Sequence, residues 1–180
     1  MNKWVIYGGG GHARVIADTI KLNQGQVANF FDDNQDLKQL AGRPVTAYHE
    51  NHAPEAKMII GIGNNKIRRA IAQYIVHEFG VLIHPDATVS DDVLIGEGTV
   101  ILAGAVIQSG AIIGKHVVIN ANVTIDHDAI IGDFCSIYPN SYIGGAANIG
   151  AGVTVEACTA IPRLATIASV FDIMEPDYSS

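Results

Sequence analysis

Two regimes of hydrophobic spacing predict an α/β domain of βαβαβα order over residues 1–80, followed by an all-β parallel β-helix over 81–170 and a tail at 171–180. The strongest observation is an unbroken six-residue beat of Ile or Val from Ile83 to Ile167. The second is a glycine-rich turn, Gly8-Gly9-Gly10-Gly11, set between a short apolar run and a helical pattern. The third is a pair of further apolar runs that end at Asp32-Asp33 and at Gly63-Asn64.

Trp4-Val5-Ile6-Tyr7 reads as a buried strand, and Val15, Ile16, Thr19 and Ile20 share one side of the helix after it. A second strand spans Val27 to Phe31 and a third Met58 to Ile62. The next helix is expected to carry Ile67, Ile71, Tyr74, Ile75 and Phe79 on one face, with Gly80 as its stop. Asp33 to Tyr48 is polar and reads as irregular, and Ala53-Pro54-Glu55 as a loop. Strands alternating with helices imply a small parallel sheet of three strands.

Gly8-x-Gly10-x-x-Ala13, with Asp32 about 20 residues further on, fits a Rossmann-like phosphate-binding turn. Glycines let phosphate approach the backbone at a helix N-terminus, where unpaired N–H groups favour anions. There is one mononucleotide-binding half and no second, which favours a diphosphonucleoside over NAD. A purely structural turn is the third reading of the motif.

From Ile83 the beat continues through Val89, Ile95, Ile101, Ile107, Ile113, Ile119 and Ile125 to Ile131, Ile137, Ile143, Ile149, Val155, Ile161 and Ile167. A second register, four residues later, holds smaller residues from Ala87 to Ala165. Two inward positions per six residues describe short strands with alternate residues facing a core. Three such strands make an 18-residue coil. Glycine recurs right after the aliphatic position (Gly96, Gly114, Gly132, Gly144, Gly150), where a turn is expected to need backbone freedom.

Composition narrows the function. In 180 residues, 48% hydrophobic and 16% charged content suit a packed domain and not a disordered chain. A net charge of −7 argues against nucleic-acid binding. No apolar run nears the roughly 20 residues that span a bilayer, and the N-terminal one is too short for a secretory signal. Cys135 and Cys158 cannot form a disulfide framework, so a cytoplasmic location is expected.

With both halves in view, the chain resembles the bacterial N-acetyltransferases of nucleotide-linked amino sugars and the related sialic acid O-acetyltransferases, hexapeptide-repeat acyltransferases. The resemblance is carried by Tyr7-Gly8-Gly9-Gly10-Gly11-His12, Phe31-Asp32-Asp33, Ile62-Gly63-Asn64-Asn65-Lys66-Ile67-Arg68, Asp126-His127-Asp128 and the hexapeptides. It implies a left-handed β-helix, a homotrimer with active sites at subunit boundaries, and acetyl-CoA lying between adjacent β-helices. The acceptor it implies is the amine of a UDP- or dTDP-linked 4-amino-4,6-dideoxy sugar. His127 matches the general base and Asp128 its acidic partner; Asn120 matches a polar residue near the sugar. Gly10, Gly11, His12, Asp32, Asp33, Gly63 and Asn64 match the nucleotide-sugar site.

His127 lies between inward Ile125 and inward Ala129, so it is expected at an outward corner. One coil away stand Ser109 and Gly145; for Asp128 the equivalents are Gly110 and Ala146, small residues expected to leave room for a coenzyme arm. Gly145 is the candidate oxyanion donor. His49 and His52 lack an evident third ligand, and His84, His116 and His127 do not reproduce the spacing of three-histidine zinc sites, so no metal is expected.

The chain departs from its family pattern near the end. After Gly150 the companion glycine gives way to Glu156, Pro162 and Ala168, and the last ten residues are acidic, without a Gly-x-Pro-Ala-Lys-like loop. Lys115 and Arg163 are the only Lys or Arg between 83 and 167. Few cations for the phosphates of CoA suggest the alternative of a trimeric nucleotide-sugar-binding protein with impaired CoA binding; a sugar O-acetyltransferase is another.

Overall fold

The computed structural model describes residues 2–171, so the expected tail lies outside the described residues except for Phe171. The first unit runs β1 (Lys3–Tyr7), α1 (Gly11–Leu22), β2 (Gln26–Phe31), β3 (Gln39–Leu40), β4 (Arg43–Thr46), β5 (Lys57–Ile60) and α2 (Asn65–Ala72). Its sheet has the order β3-β4-β2-β1-β5. β4, β2, β1 and β5 are parallel, and β3 is antiparallel to β4.

This corrects the expected three-stranded βαβαβα unit. No helix joins β2 to β5; a hairpin takes its place, inside the segment expected to be irregular. Its turn is Ala41-Gly42, both left-handed at φ 48° and 72°, the pattern that matches the twist of a two-residue hairpin. The apolar pattern is too short to announce it, and Pro44 in β4 argues against a strand by propensity.

α2 also ends earlier than expected. Gln73 and Tyr74 donate to Ala70 and Ile71, three residues back, which closes the helix. Beyond it the chain extends along the sheet edge, with Met58 N–H donating to Glu78 O and Gly80 N–H to Met58 O. Gly80 therefore stops no helix. It packs on Trp4, whose ring atoms would lie 2.4 Å from a Cβ there. Val15 and Ile67, expected on buried helix faces, are 45% and 51% exposed.

From Leu82 to Ile167 fifteen two-residue strands, β6 (Leu82–Ile83) to β20 (Thr166–Ile167), stack in three parallel sheets of five. Each strand pairs with the one 18 residues on, as Ile83 does with Ile101 and Ile119 with Ile137. The aliphatic register and its small companions form one core, with Ile101, Ala105, Ile119, Val123, Ile125 and Cys135 among its buried members. The end coils are more open: Ile83, Val89, Ile95, Ile161 and Ile167 are only partly buried.

The companion glycines are there for a different reason from the one expected. Gly96, Gly114, Gly132, Gly144 and Gly150 are not left-handed; a Cβ on any of them would come within 2.6 Å of the next coil. Left-handed backbone falls two residues later, as at Gly110, Asn122, Asp128 and Ala146. Where the companion glycine is lost, at Glu156, Pro162 and Ala168, the strands persist through Ile167.

The N-terminal unit covers one face of the prism, the sheet containing Leu82, Val100, Val118, Ser136 and Thr154. Leu82, Val100 and Leu102 join the cluster around Trp4, Ile16 and Phe30. The latch is Arg68, 1% exposed. Its guanidinium donates to the carbonyls of Ile62 (2.9 Å) and Gly63 (3.2 Å), and to those of His116 (2.9 Å), Phe134 (3.0 Å) and Cys135 (3.2 Å) in the β-helix. Asn65 adds a bond to the carbonyl of Gly152 at 2.9 Å.

Candidate active site

Residues 126–129 form the corner between β13 (Thr124–Ile125) and β14 (Ile130–Ile131). Asp128 adopts φ 58°, a conformation its short polar side chain tolerates, and its N–H donates to Ser109 O at 3.1 Å. That backbone turns the carboxylate onto the neighbouring imidazole: His127 Nδ1 and Asp128 Oδ2 are 2.8 Å apart. An ionised carboxylate only accepts, so Nδ1 carries the proton and Nε2 keeps a lone pair. His127 is exposed, as its corner position predicts.

Asp126 braces the corner from the other side. It accepts from the His127 N–H at 2.8 Å and from the Tyr142 hydroxyl at 2.9 Å. Those two bonds hold its carboxyl below the usual carboxylate range, and the Gly145 N–H adds to the effect. Tyr142 escapes sequence reasoning because it sits in β16 (Tyr142–Ile143), one coil beyond Thr124. The only sequence signal is the 18-residue column that places it next to the corner.

The small residues around the corner lie against His127 and Asp128. A Cβ on Gly145 would lie 2.9 Å from His127 Nε2, and one on Gly110 would lie 2.4 Å from Asp128 Oδ1. At Gly145 and Gly110 the absence of a side chain thus makes room for the imidazole and the carboxylate themselves. The Ala146 N–H is bonded to His127 O at 2.9 Å. Asn120 stands at the corner preceding β13 and donates to Ile137 O at 2.9 Å.

The residues expected at the nucleotide sugar gather in the first unit. β1 leads to β2 on one side and the chain returns as β5 on the other, so the sheet changes direction between β1 and β5. Ligands of open α/β sheets bind beyond the strand ends at such a point. Gly10, Gly11 and Gly63 each have open space where a side chain would be. Asp32 lies against Gly9 and accepts from Asn34 N–H at 2.8 Å. Asp33 accepts from Tyr7, which accepts from Tyr74, both at 2.7 Å.

One of these residues carries a structural duty and another is desolvated. Asn64 caps α2, its side chain accepting from Ile67 N–H at 3.0 Å. His12 Nε2 is buried with no hydrogen-bond partner, and burial, reinforced by Arg68, lowers its pKa to about 4. Burial also pushes Arg68 down to about 10. A cleft of about 620 Å³ opens between Gly63, Asn64 and Lys66 on one side and Tyr138, Thr154 and Glu156 on the other. A smaller cavity of about 370 Å³ beside Lys21, Phe30 and Arg43 contains none of the candidate residues. Among the described residues no group of three or more metal-ligating side chains converges, and no helix is long and apolar enough to cross a membrane.

The vertex carrying His127 joins the two sheets that the N-terminal unit leaves uncovered, and so lies opposite the covered face. Within one chain, the crevice and the imidazole are on different sides of the prism.

Comparison with known proteins agrees with both halves. Residues 3–75 match the family model described as PglD N-terminal domain, and residues 92–127 match bacterial transferase hexapeptide (six repeats). Over 108 residues the chain is 34% identical to a UDP-N-acetylbacillosamine N-acetyltransferase of Bacillus subtilis (strain 168), a match covering 54% of this chain and 50% of that protein. The chain thus spans half the length of this curated relative. The acetyltransferase domain of PglB from Neisseria gonorrhoeae FA1090 is 31% identical, with 94% of this chain and 89% of that one covered and a TM-score of 0.70. A structure of that domain in complex with acetyl coenzyme A matches at 28% identity over the same shares, with a TM-score of 0.59. PerB from Caulobacter crescentus, in complex with CoA and GDP-perosamine, is 25% identical over 94% of this chain and 87% of that one, at a TM-score of 0.69.

Proposed function

The chain belongs to the family of hexapeptide-repeat acetyltransferases that carry a PglD-type N-terminal domain, and on that premise we propose that it moves acetyl from acetyl-CoA to the amine of a nucleotide-linked 4-amino-4,6-dideoxy sugar, UDP- or dTDP-linked. The observation that carries the reading is the 2.8 Å pairing of His127 Nδ1 with Asp128, which leaves Nε2 as a base at an exposed corner. Relatives that bind acetyl coenzyme A, or CoA with GDP-perosamine, support the choice of donor and acceptor class.

In this reading the sugar amine attacks the thioester carbonyl, forming a C–N bond and a tetrahedral oxyanion. His127 Nε2 takes the proton from the amine nitrogen. The C–S bond then breaks, and the proton passes from the imidazolium to the departing CoA sulfur. Asp128, paired with Nδ1, holds the ring in the tautomer that leaves Nε2 free to accept that proton. The Gly145 N–H is the nearby candidate for the oxyanion, and it would have to turn from Asp126 to serve.

The placement of His127 opposite the covered face favours a site completed by a second copy. The sheet beside the corner presents Leu94, Ile112 and Ile130 outward at 64%, 42% and 41% exposure. In a homotrimer this apolar stripe would be buried, and His127 of one protomer would meet the nucleotide-sugar crevice of the next.

Thiol release measured with acetyl-CoA and UDP-, dTDP- or GDP-linked amino sugars tests the reading. Turnover is expected with one nucleotide class and should drop about 10²–10⁴-fold in His127→Ala. Unchanged turnover in that variant would remove His127 from the mechanism.

A further inference from the structure

The corner column that carries His127 is electrically polarised along the prism axis. Two coils before His127 and Asp128 stand Asp91 and Asp92; one coil before stand Ser109 and Gly110. One coil after come Gly145 and Ala146, and two coils after come Arg163 and Leu164. Coils stack at about 4.8 Å, so each end of the column is roughly 10 Å from the imidazole.

The acidic end is held in place. Asp92 accepts from Ser109 Oγ at 2.7 Å and from Gly110 N–H at 3.0 Å, and those bonds keep its carboxyl low and ionised. The basic end is uncommitted. Lys115, the other cation of the β-helix, stands at a different corner and is paired with Glu97 at 2.8 Å. Arg163 is exposed and makes no ion pair among the described residues; it lies close enough to Tyr142 to act on the phenol electrostatically. Leu164 beside it is 67% exposed, in a left-handed conformation at φ 61°.

We propose that Arg163 is the phosphate anchor for the acyl donor, so that the donor lies along this column with its thioester at His127 and its phosphates toward the C-terminal coils. The inference rests on the acetyltransferase reading for the identity of the donor. Anionic phosphates are repelled from the Asp91–Asp92 end and attracted to the guanidinium, which can bind phosphate oxygens in bidentate fashion. Leu164 offers an apolar surface next to the charge. The scarcity of cations then becomes a selectivity device, with one cation at one distance from the base.

Calorimetric titration of the full chain with CoA and with pantetheine, which lacks the phosphates, tests this without turnover. In Arg163→Gln the dissociation constant for CoA is expected to rise about tenfold, while the preference for CoA over pantetheine falls by the same factor. Arg163→Lys should restore part of that preference, and added salt should weaken CoA binding more in the unsubstituted protein than in Arg163→Gln. A CoA dissociation constant in Arg163→Gln within about twofold of the unsubstituted protein overturns the assignment. Because the readout is binding, CoA binding without acetyl transfer would count against the proposed function and leave the Arg163 result standing.

Discussion

Gly145 lies against the imidazole of His127: a methyl group on it would stand 2.9 Å from Nε2. The atom that would be struck is at the free end of a side chain, so the ring can swing aside at little cost to the fold. Gly145→Ala should therefore lower kcat/KM for acetyl transfer roughly 10–100-fold through misplacement of the base. The melting temperature should move by only a few degrees. Steady-state kinetics and thermal melts on the same preparation check both halves of the expectation.

Asp128→Asn keeps the shape of the corner and removes the charge that fixes the imidazole tautomer. The amide can donate to Nδ1 and drive the proton to Nε2, where it blocks base catalysis. Activity is expected to fall about 100-fold or more. An unchanged melting temperature and circular dichroism spectrum beside the lost activity would separate this effect from simple misfolding.

Acid stability is expected to be set first by two buried histidines. Burial lowers His12 and His116 from 6.5 to about 4, with Arg68 contributing to both. The unfolded chain therefore binds more protons than the folded one below about pH 6.5, and stability falls as pH drops from there to about 4. For His12 alone the loss is on the order of 3 kcal/mol, and His116 contributes in the same direction. The depressed carboxylates of Asp92, Glu97 and Asp126 lose their contribution only at lower pH, below their ordinary values of 3.8 to 4.5. Denaturant titrations between pH 7 and 4.5 should show this slope, and His12→Gln should flatten it.

Arg68→Ala leaves the carbonyls of His116, Phe134 and Cys135 without the donor that joins them to the N-terminal unit. A loss of about 3–5 kcal/mol is expected, read as a lower denaturant midpoint. Arg68→Lys, with three donors on a point charge, should recover part of it.

Ile112 and Ile130 stand one coil apart on the exposed sheet. If that stripe is buried between protomers, Ile112→Asp should dissociate the assembly while the isolated chain keeps its circular dichroism. Sedimentation velocity across a concentration series reads the outcome, and an unchanged sedimentation coefficient would remove this sheet from the interface.

The outward corner of His127 is legible in the sequence because its position depends only on counting: His127 falls between two inward residues whatever lies elsewhere in the chain. The first unit was harder to read. Its second helix was overestimated because Tyr74, Ile75 and Phe79 continue a helical spacing, yet Met58 recruits Glu78 and Gly80 as an added edge. Tertiary pairing overrode local pattern there. The hairpin at Gln39–Thr46 was missed for the converse reason, since its strands are too short to show a period.

The sequence by itself determined the prism, its 18-residue register and the outward placement of Asp126-His127-Asp128, because each hexapeptide carries its own inward pair and burial repeats locally. Only the tertiary structure decided that Arg68 fastens the two units, that Tyr142 braces Asp126, and that the covered face lies opposite His127. Those relationships join residues far apart in the chain. They follow from how two separately patterned units dock, and no periodicity within either unit encodes that docking.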